Sequence, residues 1–197
     1  MATNMTYQAL VDDYEVLRSL GIAGVLVNSS DKEIAADKGL ICAKKSLMDS
    51  RAYAGRKNPN TWNMRAATAS DTEVYVCAPQ ITDIAKTTNG NVAYVGANTL
   101  MITAPAGIIT RYEKLVPGYM YAFGSGCFST APDTSKKFAT IADGKLVATA
   151  TEPTNGVYFK IDEAVNFAEG TRKSVSGYRV TFCRAYGTAA TQTEDKG

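Results

Sequence analysis

The sequence contains no histidine. That removes the side chain most used as a general base near neutral pH, the commonest metal ligand, and the middle member of Ser-His-Asp and Cys-His sites. Carboxylate or lysine chemistry survives this loss, so the absence weighs against an enzyme without excluding one. Cysteine is scarce: Cys42, Cys77, Cys127 and Cys183 stand far apart, with no C-x-x-C pair. Zinc and thioredoxin-like sites lack their usual signature here, and four reduced thiols acting as small hydrophobes are expected ahead of two disulfides. No metal or cofactor is expected. No run approaches the roughly 18 apolar residues of a spanning helix. The start, Met1 to Tyr7, has no basic segment, and Asp12, Asp13 and Glu15 break the next apolar run, unlike a signal peptide. A soluble protein made in a cytosol, with no membrane partner, is expected. An excess of one charge sign is also missing. The 21 basic and 19 acidic residues leave a net +2 with no block of like charges, so no specific nucleic-acid partner is expected.

What is present is a globular composition, 45% hydrophobic and 20% charged over 197 residues, enough for a core without staples. Three stretches near the N-terminus carry helical patterns. In 5–20, Tyr7, Leu10, Val11, Tyr14, Leu17 and Leu20 recur at spacings of three and four, with Asn4 or Thr6 to cap and Gly21 to end. Ser30 and Glu33 have capping-box spacing ahead of a short helix to Lys38. Leu40 to Ala54 reads as a further helix. Between them, Ile22 to Val27 reads as a short buried strand. A basic, turn-rich loop from Gly55 to Thr61 is the candidate boundary.

Beyond Trp62 the texture changes to short runs rich in Val, Tyr, Phe, Ile and Thr, punctuated by Gly, Asn and Pro. The last third is a β-meander. Lys137–Ile141 and Lys145–Ala150 flank Asp143-Gly144, a pair suited to the positive φ angles of a tight hairpin. Val157–Ile161 follows Asn155-Gly156, and Gly177–Ala185 ends the run. The expected fold is mainly β, an antiparallel sandwich or barrel over 61–188, with a small N-terminal α-helical region over 1–60 and a polar tail over 189–197.

Several residue groups invite a chemical reading. Gly124-Ser125-Gly126 resembles part of a phosphate-binding loop, but it has no following Lys or helix, so a turn between strands is the better account. Asp162 and Glu163, with Asp143 and Glu152, can be read as paired glycosidase-like carboxylates. Carboxylates beside turns more often serve solvation. Tyr119, Tyr121 and Phe123 share a period-2 face, which fits one face of a core strand better than base stacking. Interface anchoring is the other use of such aromatics.

Taken in order, these segments resemble a known class: Thr99–Gly107 closing on Pro-Ala-Gly, Glu113–Tyr119, Phe123–Thr130, Phe138–Leu146, Gly156–Ile161 and Gly177–Ala185. Over about the last 120 residues the chain is similar to the β-rich accessory proteins of tailed-bacteriophage virions, chiefly capsid decoration or cement proteins. The resemblance implies a non-enzymatic structural role. The protein would bind the major capsid protein on the outside of the assembled shell, as a homo-oligomer on the particle, after synthesis in the host cytoplasm. Another virion part, such as a tail, connector or fibre-base component, is the alternative. A glycan- or nucleic-acid-binding β-module or a carboxylate or Cys enzyme comes after it. Within the favoured reading, the expected interface residues are Tyr7, Leu10, Tyr14 and Leu17 on the helical stripe, and Arg56 and Trp62 in and beside the basic loop.

Overall fold

The computed structural model describes residues 9–10, 21–48, 52–53, 56–57, 61–79, 103–169 and 173–187. Strands dominate. In chain order, β1 is Ala9–Leu10, β2 Gly21–Leu26, β3 Ala36–Asp37, β4 Ile41–Leu47, β5 Ala52–Tyr53 and β6 Arg56–Lys57. Next come β7 (Thr61–Ala66), β8 (Tyr75–Cys77), β9 (Thr103–Ala104), β10 (Thr110–Lys114) and β11 (Met120–Gly124). The chain ends with β12 (Phe128–Thr130), β13 (Phe138–Ala142), β14 (Lys145–Thr149), β15 (Asn155–Glu169) and β16 (Lys173–Tyr186). No α-helix occurs among the described residues.

Two bodies of sheet result. Five strands close a barrel in the order β10-β2-β7-β4-β8. Its pairs are antiparallel except β2 with β7. Strands from both sides of residue 60 therefore share this barrel. The second body is a seven-stranded sheet ordered β1-β11-β16-β15-β13-β14-β12.

Each body contributes to a core. The barrel interior holds Leu26, Cys42, Met64, Tyr75, Cys77 and Tyr112. A second core lies between the barrel wall and one face of the sheet, where Ile41, Val74 and Val76 meet Phe123, Phe159 and Val180. Alternation makes β4 and β8 serve both. Ile41 and Ala43 point to the sheet while Cys42 points into the barrel; Val76 points to the sheet while Tyr75 and Cys77 point inward. A strand buried on both faces reads as a continuous apolar run, and period alone cannot distinguish it from a buried helix segment.

That ambiguity explains one correction. The helix expected from Leu40 to Ala54 is instead β4, followed by the short β5–β6 ribbon. The helix expected after Ser30 is absent for a different reason. Asn28 Oδ1 accepts from the Ser30 and Lys32 amides at 2.9 and 3.0 Å, and Asp31 sits at φ 59°, outside the helical region. In the first region, Ala9 and Leu10 form β1, paired with Phe123 and Ala122 of β11. The expected small N-terminal α-helical region is thus not seen; the described residues of 1–60 form strands and the turns between them. Tyr7, Tyr14, Leu17 and the polar tail over 189–197 lie outside the described residues.

The β13–β14 hairpin turns as its sequence suggests. Asp143 and Gly144 take φ 48° and 73°, the positive pair of a tight two-residue turn. This turn also joins the two bodies. Gly144 N–H donates to Ala67 O at 2.9 Å and its carbonyl accepts from Ile41 N–H at 2.9 Å.

Candidate interaction surfaces

Trp62 lies on β7, in register with Leu47 of β4 and half-buried against the barrel core. Its ring is occupied by its own molecule. Lys44 Nζ stands 4.6 Å from the Trp62 ring centre and 5.1 Å from that of Tyr75. Glu73 completes the group, accepting from Tyr75 OH at 2.6 Å and pairing with Lys114 at 2.7 Å and Lys44 at 3.8 Å. The bonds from Lys114 and Tyr75 hold the Glu73 carboxyl below its ordinary range, while burial and the carboxylate push Tyr75 up. The cluster therefore stays ionic, with its aromatic faces already filled. Beside it, Leu47 is 47% exposed. Arg56 pairs with Tyr53 in the β5–β6 ribbon, and Leu10 with Ala122.

The carboxylates do not share a site. Glu152 accepts from Tyr158 OH at 2.6 Å, Asp162 from Thr181 Oγ1 at 2.7 Å, and Glu163 from the Arg179 guanidinium. Asp143 is spent in the hairpin turn. All four cysteines are free, and burial pushes the Cys42 and Cys77 thiols up, away from the reactive thiolate. Gly124-Ser125-Gly126 leads from β11 through one 3-10 turn into β12. Tyr121 and Phe123 do lie on the core face, whereas Tyr119, before β11 begins, is 37% exposed.

The surface that sequence reasoning missed is at the far end of β15 and β16. Strand β13 pairs with β15 only at Phe159 and Lys160. Strand β11 reaches β16 only from Gly177 to Thr181. Among the described residues, 163–165 thus lie on the open edge of β16, opposite 177–179, which β11 backs, while 166–169 and 173–176 pair only with each other and form a two-stranded arm extending past the sheet.

The faces of this arm are set by a bulge. Register steps from Ile161 opposite Val180 to Glu163 opposite Arg179, leaving Asp162 as the extra residue. Directly opposed residues share a face. Val180 and Tyr178 face the core; Arg179 and Gly177 face away from it. After the bulge, Glu163, Val165 and Phe167 oppose Arg179, Gly177 and Val175, and so fall on the outward face. Without the bulge, Val165 and Phe167 would have fallen on the core side, opposite Ser176 and Ser174. Instead that side carries Ala164 and Asn166.

The outward face has a definite composition. The Glu163–Arg179 ion pair and the Asp162–Thr181 bond mark its base. Val165, Phe167 and Val175 follow, each partly exposed. Phe167 lies over Gly177, where an added Cβ would come 2.4 Å from Phe167 Cε2. No protein-family model, curated protein or solved structure matches the chain.

In the sequence this surface is hidden by parity. Val157, Phe159, Ile161, Val165 and Phe167 all stand at odd positions and read as one buried face. The Asp162-Glu163 doublet, two acids in succession within a β-like run, is the only signal of the change of face.

Proposed function

We propose that this chain is a structural protein of a tailed-phage virion that binds the outside of the capsid shell as a decoration protein, with the major capsid protein as its partner. The observation that carries the reading is the arm. A two-stranded ribbon without a third strand is marginal in water. One that also turns its apolar residues away from its own core is built to be covered by something else. An assembly protein present in many copies provides such a cover, and small contacts suffice there because avidity multiplies them. The exposed Leu47 beside Trp62, at the end of the barrel that carries the β5–β6 ribbon, is the surface we assign to the shell.

The test is sedimentation of the purified chain with expanded, undecorated capsids. Binding that saturates at a fixed number of copies per capsid protein is expected. Absence of stoichiometric co-sedimentation overturns the reading.

A further inference from the structure

The outward face of the arm has an order of charges that selects its partner. The acids Asp162 and Glu163 are on β15, and the base Arg179 is on β16, with Val165, Phe167 and Val175 beyond them. Consider a second copy laid face to face. If the two-fold axis ran across the strands, β15 would cover β15 in the reverse direction, and Glu163 would stand over Glu163 with the axis at the base or over Val165 or Phe167 with the axis further out. If it ran along the strands, β15 of one copy would cover β16 of the other. Glu163 would then stand over Arg179 of the second copy at the base, and Phe167 over its Val175 further out. A single two-fold arrangement thus satisfies both charge and apolar contact, as an isologous interface requires.

We infer that the arm is a self-association surface on which two copies of this chain pair face to face about an axis parallel to β15 and β16. The inference rests on the reading of the chain as an assembly protein, and it names the occupant of the surface that carried that reading. The interface is small, so the dimer is weak in free solution and reinforced when copies are held side by side.

Sedimentation equilibrium on the whole chain, over about 1–100 µM, where interfaces at the small end of the range dissociate, tests it. The wild type is expected to pass from one chain to two. Phe167→Asp and, separately, Val165→Asp are expected to stay at one chain, with circular dichroism and urea midpoint kept, because neither side chain belongs to either core. Glu163→Arg alone sets Arg over Arg between the two copies, and Arg179→Glu alone sets Glu over Glu. Each is expected to be monomeric, and an equimolar mixture of the two is expected to recover the two-chain species. A wild type that stays monomeric throughout overturns the inference, as does an oligomer unmoved by Phe167→Asp. Capsid sedimentation separates the two failures. If Phe167→Asp still binds shells, the function proposal stands whatever the oligomeric state. If a monomeric wild type binds shells and Phe167→Asp does not, the arm belongs to the shell and the self-association is wrong.

Discussion

At Gly144 an added methyl group would lie 2.6 Å from Leu40 Cδ1 and 2.9 Å from Ile41 O, on a backbone with φ +73°. Both the local conformation and the close approach to β4 therefore require glycine. Gly144→Ala is expected to cost about 1–3 kcal/mol, the scale of one strained backbone position, read as a lower urea midpoint. Gly144→Asn, which tolerates the left-handed region but not the contact with Leu40, separates the two causes: if it is as stable as the parent, the contact is unimportant. Asp71 offers a test by pH. Burial alone would raise its carboxyl, but bonds from Arg65 and from the Thr68 amide outweigh burial and hold it below the usual value. A depressed carboxylate contributes stability above the unfolded value and loses it as pH falls through the lower folded value. Asp71→Asn is expected to be less stable by about 1 kcal/mol at neutral pH, since the pair is only partly screened from water. The deficit should close in titrations below the ordinary aspartate range. A deficit independent of pH would assign the effect to packing.

Among the elements, those whose turn chemistry is local were readable in advance. The β13–β14 hairpin follows from Asp143-Gly144 because a two-residue turn dictates its own register. Strand β4 was not readable, because its first residues owe their burial to two different cores that only the assembled fold creates. The length of β15 was missed for a related reason. A bulge changes the face without changing the sequence period, so the sequence reading ends the strand at Ile161, just ahead of the Asp162-Glu163 doublet. The arm should also behave as a separate element. Among the described residues, 166–169 and 173–176 have no third strand beside them and contribute no residue to either core. In hydrogen exchange, amides over 166–169 are therefore expected to exchange faster than those over 157–160 in Phe167→Asp, and to be slowed in the wild type at high concentration. Equal protection along the whole strand in the monomer would mean that the arm is held by its own molecule.

For the whole molecule, the broad β-class could be read from composition and punctuation, but the closed barrel could not. Its partners are distant in sequence: β2 meets β7 and β10, and β4 meets β8. Such long-range pairing leaves no local trace. Trp62 stands out in the sequence as the one tryptophan, and its ring packs with Lys44, whereas the outward facing of Val165 and Phe167 depends on the bulge. Because β4 and β8 wall both cores, barrel and sheet are expected to unfold together. Trp62 fluorescence reports the barrel and far-ultraviolet circular dichroism reports all strands. Their urea transitions should coincide. Two separated transitions would mean that the shared wall does not couple the two bodies.

The single extra residue at Asp162 sets a rule for how the arm can lengthen or shorten over generations. Matched removal or insertion of one residue on each strand, on the tip side of the apolar triad, moves the tip without disturbing which residues face out. One unmatched residue between Asp162 and Phe167 transfers Phe167 to the opposite side of the ribbon. Variants of this chain should therefore tolerate arms of different reach, while single unmatched insertions in β15 behave like a loss of the surface itself.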